Sequence, residues 1–161
     1  MAYNKFKIAD LQNKLYLSVK REDWIDKCLT DFAADELLIS VLGEAKKVYL
    51  GSRKARSEFI VVPILQALRR KNLDKFSVFS GYEFNIDKNS GLNGYCDFIL
   101  SAPSSVFWVE APAFFIVETK KIDIEDNAIA QCGAELYAAK VFNEHKGKTQ
   151  KAISCNGEMS A

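Results

Sequence analysis

The chain has 161 residues, 48% hydrophobic and 27% charged, with 22 basic and 21 acidic side chains and a net charge of +1. That length suits one domain whose core needs neither disulfides nor structural metal. Near-neutrality excludes a globally basic polyanion binder and leaves only local basic patches for such a role.

Residues 5 to 19 admit two readings: a short LYLSV strand, or an opening helix with Ile8, Leu11 and Leu15 on one face. A helix is expected from about 31 to 48, capped by Asp31, with Leu37, Leu38, Val41, Leu42 and Ala45 as its apolar stripe. Gly51 ends it, and Ser52 caps a second helix whose buried face is Ile60, Ile64, Leu65 and Leu68. Pro63 falls inside that pattern and predicts a kink or a late start. From 76 to 87, FSVFSGYEFNID places Tyr82, Phe84 and Ile86 on one face of a strand. KNSGLNG supplies a hairpin turn, and YCDFILS returns as the second strand. AFFIVETKK is a third strand, apolar on both faces and so expected at the centre of the sheet. A long helix follows over about 123 to 145, with Ile129, Cys132, Leu136 and Ala139 as its buried stripe.

Four cysteines, at 28, 96, 132 and 155, form no C-x-x-C pair, and His145 is the one histidine. A zinc site is therefore not expected, and the thiols read as reduced and mostly buried. No apolar run approaches the ~18 residues of a membrane span. MAYNKFKIADLQNK lacks the apolar core of a signal peptide, so the expected location is the cytoplasm, with no membrane partner.

The chemistry gathers around the third strand. Positions two apart on a strand share a face, so Glu118 and Lys120 point the same way. If the second and third strands pair, Asp97 approaches Glu118, and two carboxylates that close repel unless a cation or proton separates them. A hard divalent cation suits such oxygen ligands. Glu-x-Lys also occurs at 44/46 and 144/146, but on predicted helices, where positions two apart diverge. Basic residues cluster at Lys46, Lys47, Arg53, Lys54 and Arg56, a candidate nucleic-acid contact if the cluster lies beside the acidic pair.

With Asp97 in NGYCDFIL and Glu118 and Lys120 in FFIVETKK, the chain resembles the PD-(D/E)XK nuclease superfamily over roughly residues 52 to 146. The resemblance implies an α/β, restriction-endonuclease-like core: a mixed central β-sheet flanked by helices. Here that core spans 52–155 of a single domain, 1–161, with a mostly helical N-terminal extension over 1–50 and a tail at 156–161. It implies Mg2+ (or Mn2+) held by Asp97, Glu118, the backbone carbonyl of Thr119 and Glu58 from SEFIVVPIL. It implies catalytic roles for Lys120 and for Gln131 of QCGAELY, with Glu135 one turn further on. Cys96 stands where the family has a nominal proline, and after the long helix only KAISC offers a further strand, so a shortened core is expected. The expected activity is metal-dependent hydrolysis of phosphodiesters in nucleic acid, DNA before RNA. The second reading is a catalytically silent module that binds protein or nucleic acid. An exposed sheet edge would allow a homodimer.

Overall fold

The fold is taken from a computed structural model that describes residues 2–20, 34–73, 75–103, 107–119, 126–148, 153–154 and 157–158. It is mixed α/β. A 3-10 turn at Tyr3–Lys5 leads into α1, Ile8–Leu15, which stops where Tyr16 takes a left-handed conformation. The helical reading of this segment therefore holds to Leu15, and no strand forms over 17–20. Helix α2 is Glu36–Ala45, with the Asp35 carboxylate accepting from Leu38 N at 2.7 Å. Asp31 lies outside the described residues. Of the expected α2 stripe only Leu38 and Ala45 are buried, while Leu37 and Val41 face solvent.

The next helix, α3, runs through Arg53–Arg56, a wider π-helical segment at Ser57–Val61, and Val62–Lys71. Ser52 caps it, accepting from Ala55 N at 3.0 Å. The irregularity expected at Pro63 is this π segment. Proline has no N–H to give the fourth carbonyl back, and the turn before it opens so that Val62 N reaches Ser57 O instead. Leu65 and Ala67 carry the buried face, while Ile64 is exposed, because the π segment rotates the face away from the simple helical spacing.

Strands β1 (Ser77–Glu83), β2 (Tyr95–Ser101) and β3 (Ala113–Val117) form an antiparallel sheet in the order β1-β2-β3. The β1–β2 turn is organised by Asp87, whose Oδ1 accepts from Asn89 N at 2.9 Å and whose Oδ2 accepts from Ser90 Oγ at 2.6 Å. Two-residue strands β4 (Ile153–Ser154) and β5 (Gly157–Glu158) pair with each other, also antiparallel, so each described ladder is antiparallel where a mixed sheet was expected. Strand β2, not β3, sits in the middle of the three-stranded sheet. The apolar run in β3 has a different cause: Ala113 and Ile116 join the core facing α4 (Asp126–His145), and Phe114 and Val117 join the one facing α3.

The larger core joins Phe79, Ile99 and Ile116 of the sheet to Ala130, Ala134 and Leu136 of α4 and to Tyr3, Phe6, Leu11 and Leu15. Residues 3–15, part of the expected extension over 1–50, thus contribute to the core itself. Gly133 permits the close approach of α1 to α4, because a Cβ there would lie 2.7 Å from Leu11 Cδ1. Tyr3 Oη donates to Phe84 O at 2.6 Å and ties the same segment to the hairpin.

Strand β3 is pinned to α4 by Asn143, which is buried and binds both backbone groups of Ala113: Oδ1 accepts from its N–H at 2.8 Å and Nδ2 donates to its carbonyl at 2.9 Å. Asn143→Leu leaves that donor and acceptor buried and unmatched, and is expected to destabilise the protein by roughly 2–4 kcal/mol in urea unfolding. A loss under about 1 kcal/mol would mean that other groups or water take over both bonds.

Candidate active site

The β2–β3 ladder ends at Phe98↔Val117, and one step further in the same register Asp97 faces Glu118. Here side chains replace the backbone ladder. Asp97 N donates to Glu118 Oε1 at 3.1 Å, and Thr119 N donates to Asp97 Oδ2 at 2.8 Å. Each carboxylate is thus held by a backbone N–H of the other strand's continuation. The remaining oxygens converge on Arg53, the first residue of α3. Its Nη2 bonds Asp97 Oδ1 and lies 3.5 Å from Glu118 Oε2. Side-chain exposure falls across the site, from 51% at Arg53 through 22% at Asp97 to 4% at Glu118.

Behind Glu118, on α4, sits Glu135, fully buried. Its Oε1 accepts from Gln131 Nε2 at 2.9 Å, and its Oε2 has no hydrogen-bond partner among the described residues. Burial first, and then the neighbouring Glu118 charge, push its carboxyl up to about 9, so at neutral pH it carries a proton. Burial likewise raises the Cys96 thiol, helped by the neighbouring carboxylates Glu118 and Asp97, and Cys96 stays a neutral space-filler. Opposite charge acts the other way on Arg53, whose bond to Asp97 raises it further above its ordinary value.

The residues singled out from the sequence are distributed unevenly around this centre. Asp97, Glu118 and Thr119 meet, and Gln131 joins Glu135 in the layer behind. Lys120 lies outside the described residues. Glu58 is half exposed, and its carboxylate faces Lys54 at 3.8 Å, one turn back on its own helix. In the basic cluster, Lys47 pairs with Glu44 at 2.8 Å, and Arg56 Nε is engaged by Leu50 O at 2.9 Å. Arg53 alone of the cluster reaches the acidic pair. Glu135 falls within the buried stripe of its helix, three residues after Cys132 and four before Ala139, and that position was a readable signal for a buried carboxyl.

Among the described residues no three His, Cys, Asp or Glu side chains group closely enough to hold a metal ion by themselves. The donors that do meet are two carboxylates on one already cation-filled point, beside the Thr119 backbone. That hard-oxygen set fits magnesium, which takes one or two carboxylates and keeps several waters. No helix among the described residues is long and apolar enough to cross a membrane. No known family model, curated protein or solved structure matches this chain.

The buried proton on Glu135 sets a pH dependence. Its folded value lies above the ordinary 4.5, so between 4.5 and about 9 the folded protein keeps a proton that the unfolded chain releases. The stabilisation is complete below 4.5 and is lost as pH rises toward about 9. In the metal-free protein, Glu135→Gln should therefore gain stability relative to wild type as pH rises through this window, measured by urea unfolding at stepped pH. A difference that stays flat across the window would place Glu135 in the ordinary carboxylate range.

Proposed function

We propose that the protein is a metal-dependent hydrolase of nucleic-acid phosphodiesters, DNA in the first instance, with a restriction-endonuclease-like core. The observation that carries this reading is the convergence of Asp97 and Glu118 on one cation position at the end of the β2–β3 ladder. The order α3, β1–β2 hairpin, β3, α4 supports the same reading.

Asp97, Glu118 and the Thr119 carbonyl would hold Mg2+ or Mn2+. Bound there, the ion supplies Lewis-acid polarisation of a phosphoryl oxygen and a more acidic water. The chain's own groups do the rest. The backbone bonds to Asp97 and Glu118 fix both carboxylates before any ligand arrives, which removes a reorganisation cost from binding. Glu135, neutral, and Gln131 back Glu118 without adding a third negative charge. Lys120 follows Thr119 directly; its proposed role is to orient the attacking water and to offset charge that builds on the phosphate. Arg53, half exposed at the mouth, would meet a phosphate.

The Arg53 bridge also favours a second reading. A guanidinium already neutralises part of the acidic pair, as it would in a silent module that keeps the fold without the chemistry. Cleavage assays with duplex and single-stranded DNA and with RNA, in Mg2+ or Mn2+, separate the two. Asp97→Asn, Glu118→Gln and Lys120→Ala are each expected to lower the rate by roughly two to three orders of magnitude. Cleavage indifferent to all three substitutions, or none in the wild type with either metal, would end the hydrolase reading in favour of the silent module.

A further inference from the structure

We infer that Tyr49 is a preformed stacking platform for an unpaired nucleobase, set beside Arg53 at the mouth of the acidic site. The substrate class is then a single strand, or the frayed end of a duplex, rather than an intact duplex. The inference rests on the nucleic-acid part of the reading above and narrows its substrate.

The loop between α2 and α3 is built around this ring. Tyr49 is 81% exposed, yet the hydroxyl end of its ring rests on backbone. A Cβ on Gly51 would collide with Tyr49 Cζ and Oη, so glycine is what lets the ring lie there. The chain on either side is held by its own bonds. Lys47 N and Val48 N donate to Glu44 O and Ala45 O at 2.9 and 3.1 Å. Leu50 O accepts from Arg56 Nε at 2.9 Å, and Ser52 Oγ accepts from Ala55 N at 3.0 Å. A large ring is thus presented to water from a fixed loop, which keeps the ordering cost of binding small.

Its neighbours supply the second half of the recognition. From residue 44 to residue 58 the chain carries five basic side chains and two acidic ones. The acids form exposed pairs, Glu44 with Lys47 and Glu58 with Lys54, and exposed pairs exchange partners at small cost. Arg53 follows Gly51 by two residues, a span of at most about 7 Å. A strand whose phosphate meets Arg53 therefore carries a base past Tyr49 within about two nucleotide steps, at roughly 3.4 Å per step along a duplex strand. The excess of positive charge suits any polyanion; the ring adds a choice among nucleic acids. In a duplex, both faces of an internal base are covered by its neighbours. An outward-facing ring stacks on a base that is unpaired or terminal. The exposed pair Phe107 and Trp108 lacks this setting: the two rings tilt against each other at 6.1 Å, and residues 101–117 include no basic side chain.

The test measures fluorescence anisotropy of labelled, cleavage-resistant phosphorothioate strands in Mn2+ and in EDTA: oligothymidylate, an abasic strand of the same length, a duplex, and oligouridylate. Wild type should bind oligothymidylate more tightly than duplex. Tyr49→Ala should weaken single-strand binding by about tenfold and lower the preference over duplex by the same factor, while Tyr49→Phe, which keeps the ring, stays within about twofold of wild type. Gly51→Ala pushes the ring off its seat and should also weaken binding, but should add nothing to Tyr49→Ala. On the abasic strand wild type and Tyr49→Ala should bind alike. The ring should matter on oligouridylate too, because its face reads the base and not the sugar; the tighter of the two strands identifies the sugar. The Tyr49 variants should melt with wild type, since the side chain is exposed. Equal affinity of wild type and Tyr49→Ala for both single strands, an equal loss on the abasic strand, or a Gly51→Ala loss that persists without the ring would each overturn the platform and leave the hydrolase reading to its own cleavage assay. No binding of any strand in either buffer would overturn both. Ring-dependent binding by a protein that cleaves nothing would keep the platform and end the hydrolase reading in favour of a silent module that binds single strands.

Discussion

Two like charges directly opposite each other on neighbouring strands oppose the pairing that brings them together. Asp97 and Glu118 occupy such a position, one register step beyond Phe98 and Val117. The sheet tolerates them because each carboxylate substitutes for a missing backbone bond, taking an N–H from the opposite segment, and because Arg53 stands between their remaining oxygens. The arrangement ties three elements to one point. Without the cation, the two backbone N–H bonds would have to oppose the repulsion at the end of the ladder. Without the ladder, the cation would have no paired acids to meet.

Depth decides how the surrounding charge is handled. At the mouth, Arg53 and Asp97 remain in partial contact with water and pair with each other. One layer in, Glu118 is nearly enclosed but borders the guanidinium. Deeper still, Glu135 is fully buried and keeps a proton instead, since a buried carboxylate costs several kcal/mol while a neutral carboxyl costs far less. The site thus presents two negative charges outward rather than three, and Cys96 beneath them behaves as a small apolar side chain.

Much of this was legible in the residues. The turn at KNSGLNG and the apolar β3 located the hairpin and the third strand, and thus the meeting of Asp97 with Glu118, but β1 stops at Glu83, so of the expected strand face Tyr82, Phe84 and Ile86 only Tyr82 lies in the strand. Ser52 as a cap and Pro63 as an irregularity were also readable, because both act through local backbone chemistry. What was not legible depended on tertiary neighbours. The middle place of β2 follows from strand order, which hydrophobicity alone does not encode. The exposure of Leu37, Val41 and Ile64 reflects which helix faces found a partner. Tyr3, Phe6, Leu11 and Leu15 entered the main core because Gly133 lets α1 lie close on α4, a contact more than 100 residues distant in sequence. Arg53 was recognised as basic and available, but its partners come from two strands that no local pattern links to it.

The π segment connects this last point to the helix that carries Arg53. An α-helix turns about 100° per residue, so one extra residue in a wider turn rotates everything before it by about that angle relative to everything after. Downstream of Ser57–Val61, α3 turns Leu65 and Ala67 toward the sheet. Upstream, the same helix turns Arg53 toward the end of β2. A regular helix through the same endpoints would align one half at the expense of the other. Pro63 is the residue that makes the wider turn tolerable, since its nitrogen needs no acceptor. The packing of α3 against the sheet and the delivery of a cation to Asp97 and Glu118 therefore depend on a single local defect, whose cause is written in the sequence even though its consequence is not.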